Sequence, residues 1–135
     1  MNNPSNRFAT GPDGVGRRVY ETGRIKKIIY CAGPYRAEGW DGVWENIVEA
    51  RKVARKLWLK GWAVICPHAN SIFMDGPDIP AQTFIDGDLE IVRRCDALYL
   101  LRGWEHSKGA MMELQLAEAL EMPIYSALEE VPRVE

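Results

Sequence analysis

The sequence predicts a three-layer α/β domain built on a parallel sheet of four or five strands. Three observations carry this. Apolar runs of strand length alternate with segments whose hydrophobes recur at helical spacing, each run breaks off at a glycine, a proline or a charged turn, and the connections are short. Such alternation, with right-handed crossovers, specifies parallel strands covered by helices on both faces and gathers the strand C-termini at one edge. The 135 residues fit one such domain, and 47% hydrophobic with 27% charged residues is the balance of a globular chain with one core.

Residues 1–23 are rich in Asn, Gly, Pro and Arg and lack periodicity, so they read as a mobile arm ahead of a single domain at 24–135. Arg17, Arg18, Arg24, Lys26 and Lys27 make the end of the arm basic, as a solvated face would be. Residues 25–32 (IKKIIYCA) suit a buried strand that stops at Gly33-Pro34, where a glycine lets backbone approach a ligand. Over 41–60, Val43, Ile47, Ala50, Ala54 and Leu57 mark a helix that Asp41 can cap and Gly61 stops.

Residues 62–66 (WAVIC) are the second strand, and Pro67-His68-Ala69-Asn70 leaves it on the same edge. Residues 71–80 (SIFMDGPDIP) have the turn chemistry of a loop, placed to act as a lid. A helix at 81–95, a third strand at 97–101 and a loop at 102–107 follow. Ser107 opens the next helix as its N-cap, Met122-Pro123 ends it, residues 124–125 form a short fourth strand, and the tail adds one more turn. The result is a small flavodoxin-like or Rossmann-like domain.

Composition excludes several roles. No segment approaches the length needed to span a bilayer, and the N-terminus lacks the apolar core of a signal peptide, so a cytoplasmic protein without a membrane partner is expected. The net charge of −2 offers no basic footprint for polymeric nucleic acid. Cys31, Cys66 and Cys95 are odd in number and lack CxxC spacing, which reads as reduced core residues rather than ligands or nucleophiles. GxGxxG, GxxxxGK[ST], GxSxG and metal-spaced His/Cys clusters are all missing, so no metal and no cofactor is expected.

The chemical signal lies in 84–120. At about 100° per residue, Glu113 projects between Gly109, Ala110, Leu116, Ala117 and Leu120, on the stripe that should face the core. The same construction sets Asp88 among Ala81, Phe84, Ile85, Ile91, Val92 and Cys95. A carboxylate out of water must be paired, hydrogen-bonded or protonated. Two in one strand-linked unit point to a site, the alternative being an internal polar network, and the small residues around Glu113 leave room for a substrate. Around them the strand ends should place Gly33, Tyr35, Arg36, His68, Asn70 and Trp104, with the helix N-terminus at Ser107 and Gly109 able to hold an anion. Further rings at Trp40, Trp44 and Phe73 lie on the same side of the sequence pattern.

The order CAGPYR after strand one, then GDLEIVRRCDALYLL, then SKGAMMELQLAEAL, resembles the nucleoside 2-deoxyribosyltransferase-like superfamily. Within it the pattern is similar to the small DUF4406-type proteins, relatives of the 2′-deoxynucleoside 5′-phosphate N-hydrolases. The resemblance covers residues from about 26 to 125 and implies a small-molecule deoxynucleoside or deoxynucleotide as partner. It makes Glu113 the nucleophile, Asp88 its acidic partner, and Gly33 and Arg36 the loop that holds sugar and phosphate. Ser107 stands where the transferases have an aspartate and the nucleotide hydrolases a serine, which favours a phosphorylated substrate. The GWDGVWE stretch departs from the pattern, so base preference does not carry over. Asp96 precedes its strand and reads as structural.

Together these readings imply cleavage of an N-glycosidic bond through an oxocarbenium-like state, with Glu113 beneath the sugar and Asp88 protonating the departing base. Water or a second base would resolve the intermediate, making a hydrolase or a transferase; a non-catalytic nucleotide-binding module is the alternative class. Large apolar residues on outer helix faces, Trp58 and Met111 among them, imply a homo-oligomer.

Overall fold

The structure, a computed structural model, describes residues 8–10 and 16–18 (backbone only), 25–71 and 74–134. Most of the expected arm at 1–23 lies outside the described residues. Within it, β1 (Phe8–Thr10) and β2 (Gly16–Arg18) pair antiparallel. The domain then runs β3 (Ile28–Ala32), α1 (Gly39–Leu59), β4 (Ala63–Ile65), α2 (Pro67–Asn70), α3 (Ala81–Arg93), β5 (Ala97–Leu100), α4 (Lys108–Ala119) and β6 (Ile124–Tyr125). Single 3₁₀ turns follow β5 and β6, at Trp104–His106 and Leu128–Glu130.

All four strands of the main sheet are parallel, in the order β4-β3-β5-β6. The chain moves from β3 outward to β4, returns to β5 on the other side of β3, and continues to β6. The topological switch therefore lies between β3 and β5, the flavodoxin-like arrangement in which a crevice opens at the strand C-termini.

Strand alternation builds the two sides. Ile29, Cys31, Ala97, Tyr99 and Leu101 face one way, where Ala50, Ala54 and Leu57 of α1 cover them. Tyr30, Ala32, Leu98 and Leu100 face the other way, against Val92 of α3 and Ala110 and Ala117 of α4. Because both faces are covered, the strands read as continuous apolar runs rather than alternating ones.

Local details differ from the sequence reading in two places, and a third is added to it. Helix α1 starts at Gly39, so Asp41 lies in its first turn and the N-cap position is Glu38, whose side chain makes no capping bond. Leu120 lies just past the end of α4 and is 44% exposed instead of buried. Gly33 has a packing reason: a Cβ there would come within 2.5 Å of Leu101 Cβ. Gly61 does stop α1, with φ +96° that favours glycine. Asp96 is structural, since its carboxylate accepts from Ile28 N–H at 2.7 Å and its own N–H donates to Ile28 O at 2.8 Å.

Candidate active site

At the switch point, β3 delivers Gly33-Pro34-Tyr35-Arg36 and α4 begins at Ser107. Between them opens a cavity of about 540 Å³, also lined by Cys31, His68, Asp75, Asp88, Lys108, Gly109 and Glu113. Eight of the ten residues expected at the site border it: Glu113, Asp88, Gly33, Tyr35, Arg36, His68, Ser107 and Gly109.

Asn70 and Trp104 are not among the lining residues. Residues 67–70 wind as a helical turn, so His68 and Asn70 point about 200° apart, and Asn70 borders a different cleft. Trp104 sits in its 3₁₀ turn and packs against the core beneath α4. Trp40 and Trp44 are exposed on α1 and do not line the cavity either, and Phe73 lies outside the described residues. The loop 71–80 does border the cavity, through Ser71 and Asp75. Its place as a lid rests partly on residues 72 and 73, which are outside the described residues.

Glu113 is only 7% exposed. Its Oε2 accepts a hydrogen bond from the hydroxyl of Tyr30, which rises from the middle of β3. Burial is the main cause that raises its pKa to about 7; nearby Asp88 adds to this, while the Tyr30 bond and His68 oppose it. Asp88 is raised as well, by burial first, with His68 pulling it back. The Tyr30 hydroxyl is raised by burial and then by Glu113 and Asp88, so it stays protonated and remains a donor.

Tyr30 is the residue the sequence reading missed. A tyrosine inside IIYCA looks like core filler, and the one available signal is that a buried hydroxyl needs a partner. Asp75, His106 and Lys108 were likewise not singled out and line the cavity.

The N-terminus of α4 is built as expected. Ser107 Oγ accepts from Ala110 N–H at 3.2 Å, so the hydroxyl hydrogen is still available to donate. A Cβ at Gly109 would meet nothing within 4 Å, which confirms open space in front of the first turn. Arg36 and Lys108 also line the cavity and bring cationic side chains to it. His68 lines the cavity and also holds its loop: its Nε2 lies 2.7 Å from Pro34 O, which only accepts, so this ring nitrogen carries hydrogen. The Tyr35 ring stands edge-on to it, with centroids 6.1 Å apart.

The sequence profile of the family described as Domain of unknown function (DUF4406) matches residues 27–126. The chain belongs to this family. Among curated proteins none matches it. Among solved structures, the DUF4406 chain is similar to a 2-deoxyribosyltransferase from Bacillus psychrosaccharolyticus, with 23% identity and a TM-score of 0.52 over 72% of this chain and 69% of that one. It is also similar to the 2-desoxiribosyltransferase from Leishmania mexicana, with 24% identity and a TM-score of 0.50 over 73% of this chain and 61% of that one. The chain thus spans less than two thirds of the Leishmania enzyme. The DUF4406 chain shares their fold, and the DUF4406 resemblance seen in its motifs is met.

Proposed function

We propose that this protein cleaves the N-glycosidic bond of a 2′-deoxyribonucleoside or its 5′-monophosphate, with Glu113 as nucleophile. The observation that carries the reading is Glu113 itself: a buried carboxylate, held by Tyr30 and raised to about pKa 7, facing a cavity at the sheet's switch point together with Asp88.

In the first step the C1′–N bond breaks and its electron pair leaves with the base, which takes the proton of Asp88. The Glu113 carboxylate forms a C1′–O bond to the sugar, and the oxocarbenium-like state between these events is stabilised by its charge. Water then attacks C1′ and gives its proton to Asp88, which frees Glu113 and the deoxyribose. The raised pKa of Asp88 suits a donor, and Tyr30 orients Glu113 through one oxygen. Resolution by a second base in place of water gives the transferase reading, in line with the two 2-deoxyribosyltransferases whose fold the chain shares. A module that binds nucleotide without turnover is the remaining alternative.

Arg36, Lys108, the Ser107 hydroxyl and the first N–H groups of α4 form the end that would receive a 5′-phosphate. Incubation with each deoxynucleoside and each 5′-monophosphate, following released base, tests the activity; tight binding without release would support the binding module. Arg36→Ala should weaken monophosphate binding by about 1.5–3 kcal/mol while leaving nucleoside binding nearly unchanged. Equal losses for both ligands would remove the phosphate assignment.

A further inference from the structure

β3 and β4 run in register, with Ile28 opposite Ala63, Ile29 opposite Val64 and Tyr30 opposite Ile65. The next step sets Cys31 beside Cys66, which is still extended at φ −123° and ψ 105°. Paired positions of parallel strands point to one face, and both cysteines pack in the same core layer. Neighbouring strands lie about 4.8 Å apart, inside the roughly 4.4–6.8 Å Cα separation that a disulfide spans. Both thiols are free, and the two sulfurs are close enough to influence each other's ionisation.

His68 completes the group. With Nε2–H committed to Pro34 O at 2.7 Å, the other ring nitrogen, Nδ1, faces Cys66 Sγ at 3.8 Å and is placed to take its proton. The neighbouring Cys31 thiol and the contact with His68 lower the Cys66 pKa in spite of burial. Burial works against a charged His68, yet Cys66 and the Pro34 carbonyl outweigh it and the net shift is upward. The two sulfurs lie on different cavities. Cys66 is partly exposed and borders a cleft of about 1030 Å³ beside α1 and β4, whereas Cys31 has no solvent exposure and lies in the wall of the candidate active-site cavity.

We propose that Cys66 is a peroxide-reactive thiol, activated by His68, that forms a reversible disulfide with Cys31 and so cross-links the two strand ends that carry the site's loops. The Cys66 thiolate attacks one peroxide oxygen, the O–O bond breaks, and the departing hydroxide takes the His68 proton to become water. The Cys31 sulfur then attacks Cys66, an S–S bond replaces the S–O bond, and the second hydroxide leaves with the Cys31 proton as water. Two thiols are oxidised and one peroxide is reduced to two waters.

This inference does not rest on the proposed activity, because its readout is the state of the sulfurs. Trypsin separates the three cysteines, so the native chain can be reduced, desalted, exposed to hydrogen peroxide, blocked with iodoacetamide and mapped without reduction. The expected product joins the Cys31 and Cys66 peptides, leaves Cys95 alkylated, and reverts with dithiothreitol. With iodoacetamide alone at pH 6, Cys66 in the native chain should label about tenfold faster than Cys95. His68→Asn should abolish that advantage, and Cys31→Ser should leave a sulfenic acid at Cys66 that dimedone traps, with circular dichroism confirming that both variants fold. The proposal is overturned if native Cys66 labels no faster than Cys95, or if peroxide carries Cys66 to the sulfonic acid while Cys31 stays free.

Discussion

A carboxylate whose pKa burial has pushed to about 7 is half ionised at neutral pH, and this makes Glu113 visible to two different measurements. As a nucleophile it must be charged, so turnover should rise with pH through about 7. Stability should run the opposite way. The folded state holds the proton up to about pH 7, while the unfolded chain releases it near the ordinary value of 4.5. The group's contribution is therefore fully present below pH 4.5, is lost between 4.5 and 7, and leaves above 7 a deficit on the order of 3 kcal/mol. Glu113→Gln keeps the shape and an acceptor for Tyr30 but cannot ionise. Urea unfolding should show the variant more stable than the parent at pH 8 and nearly equal to it at pH 4; equal stabilities at both pH values would mean that the carboxylate is not held as described. Glu113 was legible in the sequence because one acidic residue interrupts an otherwise apolar helical stripe. Tyr30 was not, because its partner is 83 residues away and no local pattern announces it.

At the scale of elements, the strands of the main sheet, helices α1, α3 and α4 and the Ser107 cap could be read from period and punctuation, whereas the β1–β2 pair and the order β4-β3-β5-β6 could not. Strand order is set by which apolar faces meet, and period alone carries no record of neighbours. The connecting turns show the same limit. Residues 67–70 carry few local signals of a helical turn, and once they wind into one, His68 and Asn70 part to opposite sides. Gly33 lines the cavity as its place after β3 implies, and it also has a packing role that no sequence pattern announces, since β3 leaves the sheet there against Leu101. Gly33→Ala forces a methyl within 2.5 Å of Leu101 Cβ, a buried residue in the layer under α1, so something must shift. Thermal or denaturant unfolding should register a loss of about 1–3 kcal/mol, and a paired Gly33→Ala, Leu101→Gly variant, which removes the clashing Cβ, should lose less than the two single changes added together. Strict additivity would show that the two positions do not touch.

For the whole molecule, the outer surface carries large exposed hydrophobes. Trp40, Trp44, Trp58 and Met111 are 69%, 53%, 55% and 36% exposed, the first three along one helix. A surface of this kind is expected to be covered by another copy of the chain. Light scattering at micromolar concentration should give a mass at least twice the 15.3 kDa of the chain, and a single-chain mass would leave those residues as scattered surface hydrophobes.

The covalent step at Glu113 remains the claim on which the functional reading turns, and one labelling measurement addresses it directly. A 2′-fluoro deoxynucleoside, or its 5′-monophosphate, slows both steps by destabilising the oxocarbenium-like state, and with a good leaving base the sugar should accumulate on the nucleophile. Digestion and mass spectrometry should then find the fluorosugar on the peptide containing Glu113, absent from Glu113→Gln, whose turnover should also fall by several orders of magnitude while binding is largely kept. A label on another residue, or near-normal turnover by Glu113→Gln, would contradict the assignment.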